Sequence, residues 1–303
     1  MSNADGAVRA YVIIGTYAFA VFFIGALTTV PVYQQLSARG IELEAMHEWT
    51  ADWLKILALL AIPALLFVVR SQWREGLGLN CGGRGLRRMG MGFALGAITM
   101  ALACALLLGF EVRVPRHGFD MAMLGEALWK AAFTAALVSV IEELWFRGAL
   151  HRVLRPVGPL RATLVVACIY TALHFIRPDV SVAPPHGVLD GFTAIGGLFE
   201  RFGQVRFLDS ALALLMVGLM LGWLRERHGC IAACVGCHAG WVFVLQLTRR
   251  STQSEVGTQS WLVGHYDGIV GGAFIAVLLT TVVLWCARDG LLVRRARSQA
   301  QGE

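Results

Sequence analysis

Lysine is almost missing from this chain of 303 residues. Only Lys55 and Lys130 occur, so arginine supplies nearly all of the 26 basic residues, which against 20 acidic ones leave a formal charge of +6. Charge of either sign is scarce as well, at 15% of residues where ordinary soluble domains carry about 25%. Hydrophobic residues make up 57% and the mean hydropathy is +0.64. A cytosolic globular enzyme would need more polar surface than this, and a disordered or fibrous chain would not be so apolar. The arginines lie mainly between and just beyond the apolar runs, a placement that suits anchoring against anionic lipid and not a nucleic-acid partner. An internal repeat, a low-complexity stretch and an interdomain linker are also lacking, so residues 1–303 read as a single membrane domain. The seven cysteines are odd in number and mostly sit inside apolar runs, which gives no disulfide framework.

What is present is a series of apolar runs of membrane-spanning length. About eight are legible, near 11–32, 53–69, 89–110, 123–152, 158–176, 208–226, 229–247 and 267–287, and they predict an all-α polytopic membrane bundle. The first is too long for a signal-peptide core and no small-residue cleavage site follows it, so it is expected to stay as an anchor. The most basic connections are 70–88 and 288–297. Placing both in the cytoplasm predicts a multi-pass protein of the cell (inner) membrane with both termini on the cytoplasmic side. The longest connection, 177–207, reads either as a plain loop or as one holding a short interfacial helix with Phe192, Ile195, Leu198, Phe199 and Phe202 on one face.

Chemistry concentrates in three places. The fourth run ends in Glu142-Glu143-Leu-Trp-Phe-Arg147-Gly148, and charges at membrane depth are costly enough to mark function. Glu143 and Arg147, four apart, share a helix face and can pair. Glu142 is turned about 100° away and has no local cation on its own face, which leaves it for proton chemistry. The next run closes on Tyr170-Thr-Ala-Leu-His174, after a turn marked by Pro156 and Gly158. Counted from that turn, Glu142 and His174 both stand about 22–26 Å away along their helices, so an antiparallel hairpin brings them level. The third place is His238, among Gly236, Ala239 and Gly240, whose small size lets helices approach. It lies only ~14 Å along its own helix, shallower than the other two. Cys234-Val-Gly-Cys237-His238 also matches the haem-attachment pattern, but inside an apolar helix the thiols are in the wrong place for that reaction; a Cys/His metal cluster ranks ahead of haem there and behind plain buried thiols.

In these motifs the sequence resembles the CPBP family of intramembrane proteases, also called the CAAX-protease and bacteriocin-processing or ABI family, which includes type II CAAX prenyl endopeptidases. The family's Glu-Glu-x-x-x-Arg matches Glu142, Glu143 and Arg147; its aromatic residue and histidine match Tyr170 and His174; its last histidine matches His238. The resemblance covers residues 120–247, the expected catalytic core. It implies an intramembrane endopeptidase in which Glu142 activates water, with His174 and His238 assisting and Glu143 and Arg147 in support. The histidines would either ligate a metal with Glu142, a donor set that suits zinc, or position water and polarise the scissile carbonyl without one. No His-Glu-x-x-His motif is present to decide between these. The implied partners are the lipid bilayer and a peptide or protein substrate, including lipidated ones. One departure is Val242, where many members carry Asn; a valine supplies no hydrogen bond. That departure favours a rival reading, a membrane adaptor or immunity-type protein of the same fold with weak or no hydrolysis. A proton-relay transporter is a third reading, against which stands the lack of a repeated half.

Overall fold

The structure, a computed structural model, describes residues 3–176, 187–255 and 262–300. In chain order its helices are α1 (Asn3–Ala38), α2 (Met46–Leu60), α3 (Ile62–Val68), α4 (Trp73–Gly76), α5 (Gly85–Gly109), α6 (Met121–Glu143), α7 (His151–Leu154), α8 (Pro159–His174), α9 (Asp190–Gly197), α10 (Leu208–His228), α11 (Ala232–Ser251) and α12 (Gly272–Ala300). Two three-residue strands, β1 (Arg113–Pro115) and β2 (Thr252–Ser254), pair antiparallel and tie the chain beyond α5 to the end of α11.

The chain is an all-α bundle of the membrane kind. Five segments are long and apolar enough to cross a bilayer: Asp5–Ala38, Glu48–Val68, Gly82–Gly109, Met121–Val157 and Val205–His228. The expected count of about eight is therefore met by five among the described residues. The shortfall has local causes. Helix α8 has 16 residues and rises about 24 Å, short of the ~30 Å hydrocarbon core. Helix α11 ends on the polar Gln246-Leu-Thr-Arg-Arg-Ser251. The span read as 53–69 is among the five, as Glu48–Val68, with a break at Ala61 between α2 and α3.

Helix ends follow local chemistry. Asp120 caps α6, its Oδ1 accepting from the Met123 amide at 2.8 Å. At the turn predicted around 157, Gly158 takes a φ of +93° and Pro159 opens α8. Of the long connection, 177–186 lies outside the described residues; the rest contains α9, whose Leu198 end is fully buried against α1 and α2 and so does more than lie at an interface. Large apolar side chains such as Phe19, Phe67 and Trp129 point outward, as a lipid solvent permits. The core lies where α8, α10 and α11 meet the end of α6, in a cluster holding Phe146, Leu150, Tyr170, Leu221 and Trp241.

Candidate active site

The end of α6 carries the two carboxylates into a widened π-helical turn, Leu144–Leu150. Such turns recur at functional sites because the extra residue re-aims the side chains beside it. Glu143 and Arg147 are both fully buried and meet at 3.0 Å through Oε1 and Nη1. The guanidinium also donates to the Gly218 carbonyl of α10 at 3.4 Å, and its carbon lies 4.7 Å above the ring of Tyr170, a cation–π contact in a desolvated setting. Arg225 of α10 donates in turn to the Arg147 carbonyl at 2.9 Å. Residues of three helices, α6, α8 and α10, thus hold one buried arginine.

Glu143 does more than pair with arginine. Its Oε1 also accepts from Nδ1 of His238 at 2.9 Å, a contact the sequence spacing does not reveal. A carboxylate can only accept, so Nδ1 carries the proton, and in the neutral form of the ring Nε2 is the acceptor that faces outward. That Nε2 stands 3.9 Å from Glu142 Oε2, beyond a direct hydrogen bond. Glu142 Oε2 is buried and takes no hydrogen bond from the protein, while the Glu142 side chain as a whole remains 25% exposed.

His174 closes α8. Its Nδ1 faces the Tyr170 carbonyl at 2.8 Å, which fixes the same tautomer as in His238 by the same reasoning. Tyr170 is the hub between the two imidazoles, its ring centroid 4.3 Å from His174 and 6.3 Å from His238. Its other neighbours are Phe146, edge-on at 5.0 Å, and the Arg147 guanidinium.

His238 owes its depth to helix packing. On α11, Gly236 and Gly240 bracket it; on α5, Gly92 and Gly96 face them. A Cβ on Gly236 would lie 1.9 Å from the Met89 carbonyl oxygen, and one on Gly96 would lie 2.0 Å from that of Cys237. Two small-xxx-small stripes therefore press backbone on backbone. Trp241, one turn past His238, donates its indole N–H to Thr99 Oγ1 on α5 at 2.8 Å and sets the rotation.

Glu142 and His174 line one cavity of about 510 Å³, walled mainly by apolar residues of α1 and α2, among them Ala18, Val21, Leu54 and Ala58. Trp145 stands beside Glu142 in its wall, its indole donating to Tyr17 Oη at 3.0 Å, which donates to the Ala58 carbonyl at 2.6 Å. Cys234 and Cys237 are free, fully buried thiols, with Cys234 donating to the Leu221 carbonyl at 3.3 Å. As packed core residues they leave no room for a haem.

The matched segment of the chain coincides with this site. Residues 124–244 match the family model described as type II CAAX prenyl endopeptidase Rce1-like. By that match the segment is similar to the CAAX-protease family. This is a protease family, and its segment contributes Glu142, Glu143, Arg147, Tyr170, His174 and His238, while α1, α2 and α5 close the site from outside it. Comparison with curated proteins and with solved structures gives no match.

The bare Nε2 atoms of two histidines and a carboxylate are the donor types zinc takes. Among the described residues, however, no three His, Cys, Asp or Glu side chains come together in an arrangement that would hold a metal ion. The fit is of type and not of geometry.

Proposed function

We propose that this chain is a membrane-embedded endopeptidase of the glutamate type that cuts substrates of the CAAX class, with Glu142 as the base that activates water. The observation that supports the reading best is the unpartnered Oε2 of Glu142, buried at 3.9 Å from the bare Nε2 of His238. A gap of that size between two acceptors suits one bridging water that donates to both. Glu142 takes a proton from this water as the oxygen bonds to the scissile carbonyl carbon. The same proton then passes to the leaving amine as the C–N bond breaks, and the carboxylate is restored. His238 orients the water and is itself held by Glu143 and Arg147. His174, on the cavity side, presents an acceptor to the amide N–H of the substrate. The apolar cavity takes the side chains next to the cut, or a lipid attached to them, and an active site opening among lipid-facing helices fits a multi-pass protein of the cell membrane with both termini in the cytoplasm.

No step here is routed through a metal, and zinc on Glu142, His174 and His238 is tested directly. Cleavage of an internally quenched peptide ending in a prenylated CAAX sequence is expected to persist in a chelator, with no stoichiometric zinc in the active protein. Loss of activity on chelation that zinc restores would move the chemistry to a metal.

Glu142→Gln keeps shape and removes the base, so it is expected to lower kcat by at least ~10²-fold while the protein still accumulates and melts as the wild type does. The second reading, an adaptor that has lost hydrolysis, rests on Val242, an apolar residue one turn past His238. Wild-type protein that cuts neither prenylated nor unprenylated peptide would decide for it.

A further inference from the structure

Two thiols meet away from the carboxylates and histidines, where the chain enters α5 and where α10 turns into α11. Cys81 stands just before the 3₁₀ turn Gly82–Arg84 that leads into α5, and Cys230 follows Gly229, whose φ of +67° ends α10. Both are free. Contacts from several sides hold them together. The Gly78 carbonyl accepts from the Ile231 amide at 3.0 Å and lies 3.8 Å from Cys81 Sγ. Arg88, in the first turn of α5, spans the pair: its Nη1 donates to the Cys81 carbonyl at 3.4 Å, to the His228 carbonyl at 3.2 Å and to Cys230 Sγ at 3.7 Å. The Ala232 amide, the first of α11, hydrogen-bonds to both sulfurs, and the Cys81 thiol donates to Cys230 Sγ.

A cation and a helix N-terminus beside a sulfur favour its thiolate, the form that reacts with oxidants. We infer that Cys81 and Cys230 are a redox-active thiol pair, oxidised by hydroperoxides to a disulfide that clips the start of α5 to the start of α11. Burial opposes a thiolate at Cys230, yet hydrogen bonds from Cys81, the Ala232 amide and Arg88 outweigh it and hold that thiol below its ordinary range. Burial and the contact with Cys230 push Cys81 the other way. The two sulfurs therefore share one proton and one negative charge. Cys81 is half-buried and Cys230 fully buried, so an incoming peroxide meets Cys81. With the shared proton on Cys230, the Cys81 thiolate attacks a peroxide oxygen; the O–O bond breaks, hydroxide leaves and Cys81 becomes a sulfenic acid. Cys230 sulfur then attacks that of Cys81; the S–O bond breaks, the S–S bond forms, and the hydroxyl leaves as water with the Cys230 proton. The two sulfurs lose two electrons and the peroxide gains them. Helices α5 and α11 share the glycine seam that seats His238, so the new bond ties the end of that seam.

The test uses purified full-length protein, reduced, freed of reductant and exposed to hydrogen peroxide. Remaining thiols are alkylated, and the protein is digested without reduction and mapped by mass spectrometry. Cys81 and Cys230 are expected to lose alkylation together and to appear as one linked peptide pair, and dithiothreitol is expected to return both thiols. In Cys230→Ser the reaction is expected to stop at the Cys81 sulfenic acid, captured there by dimedone. Oxidation of the exposed Cys168 and Cys286 with Cys81 and Cys230 still fully alkylated would overturn the inference. A linked pair that forms only after the protein is unfolded in denaturant would overturn it too, because the folded contact would then play no part. The decisive map is made on the wild-type chain, so it stands even where a cysteine variant fails to fold.

Discussion

Glu142 and Glu143 are neighbours with opposite surroundings. Glu143 Oε1 serves Arg147 at 3.0 Å and His238 at 2.9 Å, with no solvent contact; Glu142 faces a cavity and keeps one oxygen without a protein partner. Half of this difference can be read from the chain, because a spacing of four puts Glu143 and Arg147 on one face. The bond from His238 to Glu143 cannot, because it depends on the approach of a helix 95 residues away. Removing the arginine would leave a buried carboxylate with the His238 imidazole as its remaining donor, so Arg147→Ala is expected to destabilise by about 3–5 kcal/mol. Thermal unfolding in detergent should show a lower midpoint and less folded protein. Unchanged melting would mean that the pair is not structural.

At the level of elements, the seam between α5 and α11 decides where His238 sits. Rise along a helix is legible in a sequence and gives a depth of ~14 Å from the inner turn; tilt and closeness of packing are not. The glycines around His238 are visible as small residues, but their partners Gly92 and Gly96 lie in a segment that hydropathy alone describes. The two short strands beyond α5 and α11 escape notice for another reason, since three residues are too few to show an alternation. Gly236→Ala would drive a methyl into the Met89 carbonyl, and overpacking of this kind costs about 1–3 kcal/mol. The expected result is a lower melting temperature together with reduced cleavage, as α11 shifts and carries the imidazole off Glu142. Wild-type stability in Gly236→Ala would show that the seam can open without cost.

Across the whole molecule, composition and hydropathy are enough to read an all-α membrane bundle, and three motifs are enough to find the helices that build the site. The number of crossings is not fixed this way. Apolar runs of 16 or so residues look alike whether they span or stop short, and α8 ends at His174 in the wall of the cavity. The connection that brings Tyr266 into the cavity wall stays hidden as well: it has no periodicity, and bonds from His265 to Asp209, from the Tyr266 amide to Ser210 and from Arg113 to the Gly268 carbonyl hold it there.

The glycine seam bears on how loss of function is interpreted. Gly236 and Gly240 stand two residues to either side of His238, with no space for even one added carbon. A saturation library scored by activity would draw a continuous band of intolerance through residues 236–240 and along Gly92 and Gly96. Most of that band would be steric in origin, and only parallel scoring of membrane abundance would separate His238, the one position in it proposed to act on water, from its crowded neighbours.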